Sequence, residues 1–337
     1  MSRVAEVLLR LLRIHSPNGG ERALEDELVR IARELGLEAH SDSVGNVIIE
    51  KGEARVALIG HYDTVPGELE VASGREIRGR GAVDAKGPLA SMLVAASLSS
   101  YPVMVAALVD EEGESKGALS LLKRGIPSYV VVGEPSNTIG VVISYRGSAR
   151  LVVECRGKGG HSSHIGDSAL DKLLDSLNAI RSYSFPGASL NVIRVCGGSS
   201  FSVLPKSALA EVDFRFSERN DAMSILGEIA RLVHEGCRVE LQRITNPISV
   251  KPSDPVPRAL VRAILSFGAE PKLLRKYGTS DMNLLAEGAR SIAAYGPGRS
   301  ELAHTDDEAV SADELEFAVG VYLRAIEQLH TTALRAP

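Results

Sequence analysis

The sequence predicts an α/β fold: a mixed, largely parallel sheet sandwiched by helices, with an inserted ferredoxin-like α+β domain. Three observations predict it. Short, nearly all-apolar runs alternate with helical patterns, as parallel strands covered on both faces require. Near residue 147 the runs change to strict period-two alternation, which marks one covered face and one differently used face. After a proline-rich connector, "TNPISVKPSDPVP" (245–257), the first pattern returns. Residues 1–146 plus 249–337 are therefore expected to form one domain, with 147–248 inserted into it.

Two amphipathic helices open the chain, at about 3–14 and 21–35. "NVIIE" (46–50), "RVALIG" (55–60), "VMVAALV" (103–109) and "YVVVG" (129–133) read as strands, the last three buried on both faces. A helix at about 87–100 separates two of them. Pro88 suits its first turn, where a missing N–H removes no intrahelical bond. In the insertion, "SARLVVEC" places Ala149, Leu151, Val153 and Cys155 on one face. "SALAEVDFRF" does the same with Ala208, Ala210, Val212, Phe214 and Phe216. Helices at about 168–182 and 221–235 complete the order strand, helix, strand, strand, helix, strand, which is the split βαβ arrangement. "SIAAYG" (291–296) is one more buried strand, and a helix at 311–330 closes the fold.

Composition bounds the function. The 337 residues are 44% hydrophobic with no Trp, so the core must be built from Val, Ile, Leu and Ala. Net charge is −5, which gives no reason to expect nucleic acid. Residues 147–246 hold 12 basic and 11 acidic side chains, so the acid excess lies in the larger domain. The opening helix carries charges within its apolar run and does not read as a signal peptide. No stretch approaches a membrane span, and a cytoplasmic protein is expected. Three cysteines, Cys155, Cys196 and Cys237, without CxxC spacing, argue against a disulfide framework and against a cysteine zinc site.

The chemistry-bearing residues follow the buried strands. "RVALIG" leads into His61 and Asp63. "GRGAVD" ends at Asp84. "VMVAALVD" precedes Glu111 and Glu112, "YVVVG" precedes Glu134, and "SIAAYGPG" leads by a loop to His304. In open α/β sheets the ligand site lies beyond the carboxyl ends of the strands. Any one such carboxylate is ordinarily a turn residue or a helix cap. Gathered at one rim they repel, and a metal cluster resolves the repulsion. The segment "GRGAVDAKG" looks like a phosphate loop but lacks the Gly-Lys-Ser/Thr order, so Asp84 is its working residue.

"GHYDTVPG", "GRGAVDAKG", "VDEEGESKGA", "GEPS" and "AHTDDE" occur in the order found in the dinuclear zinc aminoacylase/carboxypeptidase family, which the chain resembles over nearly its whole length. The resemblance implies a zinc-peptidase-like catalytic domain and an inserted lid or dimerisation domain. It implies two Zn2+ per subunit, with Co2+ as a possible substitute. His61 and Glu134 would bind one metal, Glu112 and His304 the other, and Asp84 both. Asp63 would orient His61, since residues i and i+2 of a strand share a face. Glu111 would be the general base, and the Asp84–Ala85 peptide would be cis. In "GKGGHSSH", His161 matches the family's oxyanion donor, contributed across a homodimer, while His164 supports the loop. "YGTSDMN" matches a loop near the substrate, which makes Thr279, Ser280 and Asp281 pocket candidates. Arg215 and Lys206 are candidates to pair with a substrate carboxylate. Ser202 stands where the family usually has an asparagine, which puts that substrate hydrogen bond in doubt. His15, His40, His234 and His330 match nothing and are read as structural or exposed.

The wording of these motifs is most similar to the branch that releases lysine or ornithine from the C-terminal γ-glutamyl group of a small acidic amino-group carrier protein, in lysine and arginine biosynthesis. The resemblance thus implies that carrier as substrate and partner. N-acetylornithine, another N-acyl amino acid or a dipeptide is the alternative substrate class. A non-catalytic dimeric binding module is a remote alternative, disfavoured because all five ligands and Glu111 are present.

Overall fold

The computed structural model describes residues 1–164 and 166–333. The chain divides into two compact units. The first comprises Met1–Ser144, Val250–Arg275 and the residues from Ser280 onward. The second comprises Tyr145–Ser249 with Lys276–Thr279.

The first unit is built on one large sheet, beside a small three-stranded one formed by Ala72–Ser73, Glu76–Arg78 and Ala309–Ser311. Seven strands of the large sheet lie in the order Glu38–Ser41, Val47–Lys51, Val103–Leu108, Val56–His61, Tyr129–Gly133, Ser291–Tyr295, Gly140–Tyr145, and Lys272–Lys276 also pairs with the last. The four from Val103–Leu108 to Ser291–Tyr295 run parallel, and every residue in them is buried. That burial explains their unbroken Val, Ile and Ala composition. The flanking strands Val47–Lys51 and Gly140–Tyr145 pair antiparallel. Helix Lys86–Leu98 is apolar on every side and buried from Lys86 to Ala96, as a helix enclosed by its neighbours must be. It packs against helices Arg3–Leu12 and Ala312–Ala333. The fold class is the expected α/β one, and the expected elements lie within a few residues of their places. Strand Gly140–Tyr145 escaped the sequence reading because it is a short apolar run without a flanking helical pattern.

The second unit is an antiparallel sheet in the order Ala188–Gly197, Ser207–Phe216, Gly147–Arg156, Cys237–Thr245. Helices Ala169–Ser182 and Ala222–Leu232 cover one face. Each begins at a side chain that accepts backbone N–H groups of its first turn, Ser168 and Asp221 respectively. The alternating residues Ala149, Leu151, Val153, Ala210, Val212 and Phe214 all turn into that core.

One expectation is overturned. Cys155 and Cys237 form a disulfide. Composition argued against bridges, but the two strands pair in a register that sets these cysteines directly opposite each other. That proximity comes from strand pairing across 82 residues of sequence, which no local spacing reports. Cys196 is free and exposed.

Candidate metal centre

The polar cluster of the first unit forms where its parallel strands end. Strand Val56–His61 lies between two parallel neighbours, and its last residue, His61, is 2% exposed. His61 Nε2 lies 3.1 Å from Asp84 Oδ1. Its Nδ1 lies 3.0 Å from the Asp63 carbonyl and 3.4 Å from Asp63 Oδ1. Asp63 therefore flanks the imidazole, as residues i and i+2 of an extended chain do. The strand ends at His61, but the backbone stays extended, with the Tyr62 N–H on the Leu108 carbonyl and Thr64 bridged to Pro17.

Asp63 is also the support of the next loop. Its two oxygens accept the backbone N–H groups of Glu111 (3.2 Å) and Glu112 (3.0 Å). Asn18 Nδ2 donates both to Asp63 (3.2 Å) and to Asp110 (2.8 Å). One buried carboxylate thus holds His61 and the Glu111–Glu112 pair in a common frame.

Asp84 sits just before helix Lys86–Leu98, and its peptide bond to Ala85 is cis. Its Oδ2 lies 3.3 Å from His304 Nε2. The same nitrogen of His304 lies 2.7 Å from Glu112 Oε1. His61, Asp84 and Glu112 each offer a ligand atom, and these atoms lie within 4.8 Å of one another. Glu134 follows strand Tyr129–Gly133, is 6% exposed, and donates its backbone N–H to the Tyr295 carbonyl.

The electrostatics express the crowding. Burial pushes the Glu111 carboxyl well above the usual carboxylate range, and the nearby charges of Glu134, Asp281 and Glu112 push the same way. Hydrogen bonds to Asp84 and Glu112 raise His304 to about 10. For His61, burial opposes the charged form, but hydrogen bonds to Asp63 and Asp84 carry its pKa well above the ordinary imidazole value. A mixed imidazole and carboxylate donor set at this spacing suits a borderline divalent cation such as zinc.

The remaining candidates divide between the units. Ser280 and Asp281 are buried in the first unit, Asp281 close enough to Glu111 to raise its pKa. Ser280 donates its backbone N–H to Asn283 Oδ1 and accepts that of Met282. His161, Ser202, Arg215 and Thr279 belong to the second unit. His161 is exposed, with Nδ1 2.8 Å from Ser163 Oγ. The Ser202 carbonyl accepts the N–H of Ser162, so these two loops are joined. Arg215 donates to Asp213 (2.7 Å) and to Thr279 Oγ1 (3.1 Å). Sequence reasoning gave no role to Asn18, Arg80 or Glu308. Arg80 and Glu308 stood inside quoted motifs, whereas nothing in the sequence around Asn18 marked it.

The profile of peptidase family M20/M25/M40 matches residues 57–328. A LysW-lysine/LysW-ornithine hydrolase from Sulfurisphaera tokodaii is 36% identical over 337 residues, covering 97% of this chain and 96% of its own. One of the same name from Saccharolobus islandicus is 38% identical, with 97% and 96% covered. A relative from Aeropyrum pernix, 39% identical with 96% and 95% covered, bears that name provisionally. Among solved structures, a tripeptidase from Staphylococcus aureus superposes with a TM-score of 0.83 at 18% identity, covering 98% of each chain. An M20 family metallo-carboxypeptidase from Sulfolobus solfataricus does so at 0.80 and 16%, covering 98% of this chain and 99% of that one. At such identities the structural likeness shows the fold alone.

Proposed function

The chain belongs to peptidase family M20/M25/M40, a family of metal-dependent hydrolases acting on C–N bonds, and from that premise we propose that it releases lysine, ornithine or both from the C-terminal γ-glutamyl group of a small acidic amino-group carrier protein. One observation carries the substrate reading. Relatives 36–39% identical over nearly the full length of both chains are named for hydrolysis of LysW-lysine and LysW-ornithine.

In this reading the cluster would take two Zn2+ ions, replaceable by Co2+. His61 and Glu134 would hold one, Glu112 and His304 the other, and Asp84 would contribute to both. The arrangement of Asp84, with one oxygen toward each histidine, supports that assignment. When bound, such a cation pair supplies Lewis acidity toward an amide carbonyl and toward water.

The chain's own groups then move the proton. The Glu111 carboxylate takes a proton from the attacking water and returns it to the leaving amine nitrogen as the amide C–N bond breaks. Asp63 fixes the backbone of Glu111 and Glu112, so the base and the ligand keep a set separation. His161 serves as a donor to the developing oxyanion, supplied by a partner subunit of a homodimer. Strand Ala188–Gly197 supports dimerisation, because it is an edge strand that leaves Ile193 and Val195 exposed. Arg215, Ser202, Thr279, Ser280 and Asp281 are assigned to substrate binding. No helix among the described residues is long and apolar enough to cross a membrane, in keeping with a cytoplasmic location.

The test is an intact mass spectrum. The carrier is loaded with γ-linked lysine or ornithine, and the enzyme is added with zinc. Loss of one amino-acid unit, with N-acetylornithine untouched in parallel, is the expected result. An intact carrier beside a cleaved control refutes the carrier as substrate.

A further inference from the structure

Glu308 has no part in the chemistry above, yet its side chain is 1% exposed. A carboxylate so buried persists only when charge and lone pairs are met. Oε1 accepts the backbone N–H groups of Val83 (3.0 Å) and Asp84 (2.9 Å). Oε2 accepts from Arg80 Nη1 at 3.1 Å. Arg80, itself 6% exposed, also donates to the carbonyls of Gly67 (2.9 Å) and Thr305 (2.8 Å). The Gly79 N–H closes the set on the Glu308 carbonyl at 3.3 Å.

These bonds join two loops distant in sequence. One is 79–84, which ends in Asp84. The other is 304–308, which begins with His304. Two consecutive N–H groups sharing one oxygen fix the plane of the peptide that carries Asp84. His304 has a φ of 65°, a region in which non-glycine residues are uncommon and need support from their surroundings. Arg80 provides it on the next residue, by holding the Thr305 carbonyl.

We infer that Glu308, acting with Arg80, is a positioning residue that sets the separation of Asp84 and His304 and thereby the cation affinity of the site. The inference rests on the metal-site reading above. The competing account is that the pair merely staples two loops for stability, leaving the ligands unaffected.

The experiment uses the full-length protein. Zinc affinity is measured by competition with a chromophoric chelator. The visible spectrum of the Co2+-loaded protein and the melting temperature of the chelated protein are recorded beside it. The variants are E308Q, which keeps the shape and removes the charge, and R80K, whose compact ammonium cannot span the acceptors that Nε and Nη1 of the planar guanidinium reach. Leu28→Ala, a core change in helix Arg22–Glu34, is the stability control. The expected result is a loss of about 10–100-fold in zinc affinity for E308Q, with altered Co2+ bands. R80K should show a smaller loss of the same kind, and Leu28→Ala a lower melting temperature with affinity and bands unchanged. Wild-type affinity and spectrum in both site variants overturn the inference. So does an affinity loss no greater than that of Leu28→Ala. If E308Q does not fold, R80K decides. Wild-type protein that binds no divalent cation overturns the functional reading as well, whereas normal wild-type binding with unaffected variants overturns this inference alone.

Discussion

Oδ2 of Asp84 lies 3.3 Å from Nε2 of His304, while Oδ1 of the same carboxylate lies 3.1 Å from Nε2 of His61. One side chain therefore faces two imidazoles that arrive from opposite ends of the chain. The prediction is specific to that placement. Asp84→Asn keeps the size of the side chain but removes its charge and one acceptor. Metal content by elemental analysis should fall below that of wild type, and turnover by at least about 100-fold. Full metal content with normal turnover would remove Asp84 from the ligand set.

Glu111 is distinguished from Glu112 by what it touches. Glu112 contacts His304, whereas Glu111 is felt electrostatically by His61 and by its carboxylate neighbours. Glu111→Gln should lower kcat by about 100- to 10,000-fold, the usual contribution of a general base. Metal content should stay near the wild-type value, because the amide relieves repulsion without removing a ligand. Metal loss in parallel with activity would instead make Glu111 a ligand.

Much of this site was legible before any coordinates. Strands such as Tyr129–Gly133 announce themselves because burial on both faces leaves no polar position, and a carboxylate immediately after such a strand stands at its carboxyl end. Glu308 was not legible in the same way. It follows no apolar run, and its importance arises from contacts with Val83 and Asp84, more than two hundred residues away. The Cys155–Cys237 bridge was hidden for a similar reason, since it depends on strand register in a sheet whose order is not the chain order. Asp63 was legible because the backbone stays extended beyond His61, so that period-two spacing sets its carboxylate beside the imidazole.

Chelation should weaken the first unit. Glu112, Glu134 and Asp281 lie close enough to Glu111 for their charges to oppose its ionisation, a repulsion that a bound cation would relieve. A cation bound by the folded chain alone adds about 2.7 kcal/mol of stability at a free concentration one hundred times its dissociation constant. Calorimetry should show a lower melting temperature after chelation, restored by zinc in a concentration-dependent way. A melting temperature that ignores both chelator and zinc would mean that the cluster binds no metal in the folded state.

The disulfide makes an opposite prediction about location. Cys155 and Cys237 close a stretch of 82 residues, for which the chain-entropy account gives roughly 4–5 kcal/mol, with measured bridges spread over about 0–5. Both cysteines belong to the second unit, whereas His61, Asp84, Glu112 and His304 belong to the first. Replacing both cysteines by alanine avoids leaving either partner of the bridge as an unpaired thiol. That variant should lose thermal stability while keeping zinc affinity within about twofold of wild type, since none of the proposed ligands touches the bridge. A reductant should lower the melting temperature of the wild type and leave that of the double variant unchanged. If reductant does not move the wild type, the bridge contributes nothing to stability. If the double variant loses zinc affinity, the second unit governs the metal site through the fold.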